Sequence, residues 1–215
     1  YKLSEIRKKM EDYNKTHFET KKGMAVMPMC FGISFTTTYM NQASALVHVY
    51  IDGSISVSTG GVEMGQGLKS NIAGIVAKGF GIREHRIKIE STNTTRVANM
   101  SPSAASATTA LNGNATLIAI EQVLDRLKSM VAKELGVQDT GRITIVDEKV
   151  FCDGRETDWT WDRLVQTAHL NRIDLSAHGF FATPEIYFDK IKEKGHPFAY
   201  HIFGTAIIEV TLDCL

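Results

Sequence analysis

Ala45-Leu46-Val47-His48-Val49-Tyr50-Ile51-Asp52-Gly53-Ser54-Ile55-Ser56-Val57-Ser58-Thr59-Gly60-Gly61-Val62-Glu63-Met64-Gly65-Gln66-Gly67-Leu68 carries a strand, a turn, a returning strand and a glycine-rich bend in one line. Residues 45–51 are almost continuously apolar and read as a strand. Asp52-Gly53 supplies residues that tolerate positive backbone angles, so 54–59 returns as a hairpin partner. Beyond the glycines, Leu68, Ile72, Ile75, Val76 and Phe80 trace one helical face that Gly81 can end.

Working outward, Leu3, Ile6, Met10 and Tyr13 recur at helical spacing behind a possible cap at Ser4. Residues 24–40 read as a further strand, and Arg86 to Glu90 alternates like a half-buried one. Residues 91–114 are crowded with Ser, Thr, Asn and Ala, small side chains that leave backbone open to a neighbour. Residues 115–135 form an amphipathic helix through Leu117, Ile120, Val123, Leu124, Leu127 and Val131. Residues 143–146 and 149–152 suggest a small hairpin, and Trp159, Leu164, Val165 and Leu170 a helix beginning near Thr157. Residues 174–182 and 200–210 return to strand character, with a charged loop at 188–197. Hairpins mixed with helices favour an α+β class, with mixed or antiparallel sheet hairpins and packed helices, over a regular α/β alternation. The expected organisation is an N-terminal helix or linker over 1–20 and a partial cofactor-binding domain over 21–215.

At 215 residues, 43% hydrophobic and 22% charged, the chain can bury a substantial core. Twenty-four basic residues balance 24 acidic ones, so no global field would gather nucleic acid or an anionic membrane, and neither partner is expected. Cys30, Cys152 and Cys214 are odd in number and widely spaced, which fits neither a disulfide framework nor a zinc or iron-sulfur site; a cytoplasmic location is expected. Tyr1 at the start and strand-like residues at the end suggest an excised segment of a longer protein.

Glycines placed between a strand and a helix leave amide N–H groups at the helix start, which favours an anionic or strongly accepting ligand. The Gln66 amide could donate and accept at once, as recognition of a pterin edge requires. A phosphate-binding P-loop is excluded because Leu68 precedes Lys69-Ser70 where glycine is needed. The dinucleotide fingerprint fails at Ser70, although Glu90 lies at about the right distance for a ribose contact, which leaves a nucleotide module as an alternative. Local pattern alone also permits a plain glycine-rich connection.

Phe31-Gly32-Ile33-Ser34-Phe35-Thr36, Asn41 to Tyr50, Asp52-Gly53-Ser54, the Gly60 to Leu68 run, Ser91 to Thr94, Ser101 to Ser106, Leu175 to Pro184 and Gly204 to Leu215 follow one another as in a known family. In that order and spacing the chain resembles the molybdenum-cofactor-binding region of the xanthine dehydrogenase and aldehyde oxidase family. The resemblance implies that Met64, Gly65 and Gln66 contact molybdopterin, and that Ala105, Ser106, Thr108 and Thr109 line its other side. It places the Ala105 backbone beside the molybdenum, Phe35 stacked on a flat substrate, and Thr36 beside it. Without the resemblance, Ser106 and Thr109 would read as caps and Phe35 as core. Glu63 reads as structural support, because the family's general base is a glutamate in a late Gly-Glu-Pro-Pro type motif and this chain has no Gly-Glu dipeptide. His48 reads as packed, and Trp159 and Trp161 as helix-face packing. The resemblance implies hydroxylation of xanthine, hypoxanthine or a related heterocycle with water as the oxygen source. It also implies 2Fe-2S and FAD domains or subunits as partners, a homo-oligomeric full enzyme, and no turnover by this chain alone. Alternatives are an aldehyde oxidase type or other heterocycle hydroxylase, and a non-catalytic cofactor-binding or assembly domain.

Overall fold

A computed structural model describes residues Tyr1–Leu215, the side chain of Ala105 excepted. In chain order the elements are α1 (Leu3–Thr16), β1 (Thr20–Ile33), β2 (Gln42–Val49), β3 (Ile55–Thr59), α2 (Leu68–Phe80), β4 (Ile87–Ile89) and α3 (Ala105–Glu134). There follow β5 (Ile143–Val146), β6 (Lys149–Cys152), β7 (Arg155–Thr160), α4 (Trp161–Leu170), β8 (Ser176–Ala182), β9 (Tyr187–Asp189), β10 (Lys194–His196) and β11 (Tyr200–Asp213). They divide into two units, Tyr1–Ile33 with Tyr200–Leu215, and Ser34–Ala199.

In the first unit β1 and β11 form a long antiparallel ribbon, in register from Thr20 opposite Asp213 to Ile33 opposite Tyr200. Helix α1 lies against it and buries Met10. The Asn14 side chain locks the two together, donating to the Lys22 carbonyl at 2.8 Å and accepting from its N–H at 2.7 Å. Lys2, not Ser4, occupies the cap position of α1, and it makes no side-chain cap bond.

The second unit carries the expected hairpin: β2 and β3 pair antiparallel from Ala45 opposite Thr59 to Val49 opposite Ile55. Its turn is held by Asp52, which accepts from the N–H and hydroxyl of Ser54, and by Gly53 at φ +78°. Strand β8 pairs antiparallel on the far side of β2, and β4 runs parallel to β3, so the sheet order is β4-β3-β2-β8. Helices α2 and α3 cover one face, and Val47, Val57, Ile72, Val76, Phe80, Val123 and Leu127 there are fully buried. Alternate residues of β2 and β3 point into that layer because a strand repeats every second residue. A β5-β6-β7 sheet and α4 extend the core, with Trp161 buried against Phe80 at 5.4 Å between ring centres.

Four elements differ from the sequence reading. The first strand ends at Ile33 instead of running to Met40, because the Asn41 amide captures both the N–H and the carbonyl of Phe35 and turns the chain. Helix α3 begins at Ala105, ten residues before the expected start at 115. Alanine favours helix most strongly, and the polar side chains that might compete instead bond back within it, Asn112 to the Thr108 carbonyl and Thr116 to the Asn112 carbonyl. Residues 155–160 are strand β7, so Trp159 sits on a strand, under the Arg163 guanidinium; α4 starts at Trp161 behind a Thr160 cap. The charged loop at 188–197 contains the short β9-β10 hairpin.

Candidate functional site

Strand β3 runs out at Thr59, and the chain crosses Gly60 to Gly67 before entering α2. Two glycines at the start of this bend exist for contact. A Cβ on Gly60 would fall 2.0 Å from Met100 Cγ, and one on Gly61 would fall 2.5 Å from Leu68 Cδ2 and 3.1 Å from Thr108 Cγ2. Gly65 and Gly67 serve shape instead, at φ +99° and +78° with open space where a Cβ would stand.

The opposite wall is the start of α3, and the structure brings it to the glycine bend. Ser103 Oγ accepts from the Val62 N–H at 2.7 Å, Thr92 Oγ1 donates to the Gly61 carbonyl at 2.6 Å, and Asn71 Nδ2 reaches Thr109 Oγ1 at 3.5 Å. Met64, Gly65, Gln66 and Ser106 are exposed, Thr109 is half-buried and Thr108 is buried. Thr108 Oγ1 accepts from the Ala104 N–H at 2.9 Å, so its hydroxyl closes the first turn of α3. Ser106 and Thr109 sit inside the helix and Ala104 holds the cap position, so neither of the former is a cap. Ala105 is the first residue of α3; its side chain lies outside the described residues. Phe35 is half-buried and Thr36 exposed in the turn fixed by Asn41; among the described residues no hydrogen bond ties either to the two walls.

Part of the donor set at the start of α2 is already taken. Glu63 Oε1 accepts from the Gly65 N–H at 2.9 Å and the Gly67 N–H at 3.1 Å, and Oε2 from the Lys69 N–H at 2.9 Å. Chiefly through the Lys69 N–H, and then those of Gly65 and Gly67, the carboxyl is held below its ordinary range. Gln66 closes the same loop from its other side, accepting from the Met64 N–H at 2.6 Å and donating to the Val62 carbonyl at 2.8 Å. The expectation that the helix start awaits an anionic ligand is therefore corrected: the chain supplies its own anion.

Molybdopterin fits what remains. A primary amide has two N–H donors and two lone pairs, so Gln66 keeps one of each after its loop bonds, next to the open space over Gly65 and Gly67. Among the described residues no three His, Cys, Asp or Glu side chains converge, and a cofactor that brings its own metal ligands needs none. The dinucleotide alternative loses its second contact, since Glu90 is engaged by Arg96, Lys88 and the Ser56 hydroxyl and is held down to about 2 by the first two.

Sequence reasoning missed Ser103, Thr92 and Asn112. Asn112 is buried beneath Gly61 with its Oδ1 unpartnered among the described residues, while its Nδ2 donates to the Thr108 carbonyl. Its four-residue spacing from Thr108 on one helix was the only available signal. No helix among the described residues is long and apolar enough to cross a membrane.

The fold is shared with solved structures of two other proteins. Quinoline 2-oxidoreductase from Pseudomonas putida 86 superposes with a TM-score of 0.78 over 98% of this chain and 27% of that one, at 17% identity. Reconstituted CO dehydrogenase from Oligotropha carboxidovorans gives 0.76 over 98% and 26%, at 19% identity. The chain belongs to the family of molybdopterin cofactor-binding domains, whose model matches residues 1–215. Xanthine dehydrogenase of Oryza sativa subsp. japonica is 42% identical over 98% of the chain, and xanthine dehydrogenase/oxidase of Gallus gallus 37% over 97%. The chain spans 14% of the length of each of these relatives.

Proposed function

We propose that the chain is the part of a molybdenum hydroxylase that clasps molybdopterin, in an enzyme that oxidises xanthine- or hypoxanthine-like purines with water as the oxygen source. One observation carries this: the bend from Gly60 to Gly67 and the residues that lead into α3 are joined by the Val62 N–H to Ser103 Oγ bond, 41 residues apart in sequence, and Gln66 and Ser106 on these two segments are both exposed. Sequence likeness to xanthine dehydrogenases over nearly the whole chain supports the substrate class.

When bound, the cofactor supplies the two-electron redox chemistry and the oxygen transfer. The chain's residues bind and orient it. Gln66 offers its remaining N–H and lone pair to a heterocyclic edge, with Met64 and Gly65 leaving the approach open. Ser106 supplies a hydroxyl from the opposite wall, and Thr108 and Thr109 hold the backbone of that wall through Ala104 and Asn71. Phe35, pinned by Asn41, stacks on a planar substrate, and Thr36 flanks it. The general base, the 2Fe-2S clusters and FAD lie on polypeptide outside this chain, and the assembled enzyme is a cytoplasmic homo-oligomer.

The test is expression of the whole enzyme with its partners, followed by molybdenum analysis and turnover of purines against aldehydes. Purine turnover is expected. Preference for aldehydes would move the substrate assignment, and an enzyme reading frame without a Gly-Glu-Pro-Pro type motif after this segment would reduce the chain to a non-catalytic cofactor-binding domain.

A further inference from the structure

Glu63 stands beside Met64, Gly65 and Gln66, the residues proposed to contact the cofactor, yet its carboxylate bonds to main chain of its own loop and of the first turn of α2. Two oxygens take three N–H groups, from Gly65, Gly67 and Lys69, at 2.9 to 3.1 Å. No other side chain in the loop could do this: Gln66 has one oxygen, already on the Met64 N–H. The two closures interlock, Glu63 gathering residues 65 to 69 and Gln66 bridging 62 and 64. Gly65 and Gly67 hold positive φ, which glycine adopts without steric cost, and without a tether such a bend would sample many conformations.

We propose that Glu63 is a positioning residue: as a resident anion at the start of α2 it sets the Gly65-Gln66-Gly67 backbone so that the Gln66 amide presents one fixed donor and acceptor to the cofactor. This rests on the cofactor-clasp reading and deepens it. It assigns recognition at this wall to the Gln66 amide and denies it to the helix N-terminus, where an anionic group of any ligand would meet the Glu63 carboxylate. The arrangement is preorganised, so the ordering cost of the loop is met during folding and not on binding.

Glu63→Ala and Glu63→Gln are compared with the parent in the whole enzyme, by hydrogen exchange of the 60–70 segment and by molybdenum and pterin content. The loop amides of Glu63→Ala are expected to exchange about ten-fold faster or more, with the unfolding temperature little changed because the carboxylate lies at the surface. Glu63→Gln keeps an oxygen for Gly65 and Gly67 but turns an NH2 toward Lys69, and should fall between. Acetate, a small carboxylate, should slow exchange in Glu63→Ala and leave the parent unmoved, a rescue that a merely structural loss would not show. Cofactor content should fall in the same order. Unchanged loop exchange and full cofactor content in Glu63→Ala would overturn the proposal, as would inorganic phosphate shifting the Gly65, Gly67 and Lys69 amide resonances of the parent. A parent enzyme without molybdenum and pterin would sink the clasp reading instead, while the exchange and acetate results would still decide what Glu63 does to the loop.

Discussion

Replacing Gly179 by alanine should loosen the wall that carries Ser106 to Thr109 without touching it. Gly179 is buried in β8 where the strand crosses α3, and a Cβ there would stand 2.0 Å from the Ala115 carbonyl oxygen and 2.8 Å from the Ala119 nitrogen. Both are main-chain atoms of a 30-residue helix, so no side chain can swing away. Ordinary contact for such atoms is above 3 Å, so the strand and helix must part by about 1 Å, and overpacking of this kind costs about 1–3 kcal/mol or more. Alanine returns roughly 0.5 kcal/mol through the lower entropy of its unfolded chain, leaving a net loss of about 0.5–2.5 kcal/mol. At roughly 2–4 °C per kcal/mol for a chain of this size, the unfolding temperature should fall by about 1–10 °C. Scanning calorimetry or circular dichroism on the variant reads this directly. Gly204→Ala is the control, since its nearest neighbour is Met29 Cε at 3.4 Å, and it should stay within about 0.5 kcal/mol of the parent. A Gly179→Ala chain that unfolds where the parent does would refute the close helix–strand approach on which the position of the wall depends.

Three further outcomes follow from particular contacts. Arg86 forks onto Glu148 at 2.9 Å and Asp162 at 2.8 Å with only 17% of its side chain exposed, so Arg86→Ala should cost about 2–3 kcal/mol in urea unfolding at neutral pH, the half-exposed Asp162 arm adding little. Because Arg86 holds the Glu148 carboxyl below its ordinary range, the parent's contribution from this pair is present above the unfolded carboxylate pKa and is lost as pH falls through the depressed folded value; the variant should lack that acid-side loss. Gly61→Ala should press the bend away from Leu68 and Thr108 and lower the molybdenum content of the whole enzyme more than its stability, and equal losses would argue against a shared site. Asn112→Leu removes a buried unpartnered acceptor together with the Nδ2 bond to the Thr108 carbonyl, so the two effects offset and stability in urea unfolding should stay within about 1 kcal/mol of the parent; a loss of about 2 kcal/mol or more would argue that the Asn112 oxygen has a partner.

The β2-turn-β3-glycine-α2 passage was legible because each step is local: alternation, a turn pair, a 3.6-residue face and a terminal Gly81, observed at φ +71°. The start of α3 was not, since Ala, Ser and Thr carry no apolar stripe and the helix there is stabilised by polar side chains folding back on the backbone. Trp159 and Trp161 stand two apart, a strand spacing that runs into a helix, and only Thr160 as a cap between them marks the change. Of the site, the two walls came from resemblance, and their meeting through Val62 and Ser103 is invisible to any local pattern. The role of Glu63 was half legible: its carboxylate could be set aside as a catalytic base, but its partners are main-chain N–H groups, which residue types do not spell out.

The central claim, that the bend and the start of α3 clasp molybdopterin, is met most directly by the molybdenum and pterin content of the whole enzyme carrying Gln66→Ala. The loss of one oriented amide from a surface residue should leave folding intact and lower cofactor retention by about ten-fold or more. Full retention in that variant would contradict the account.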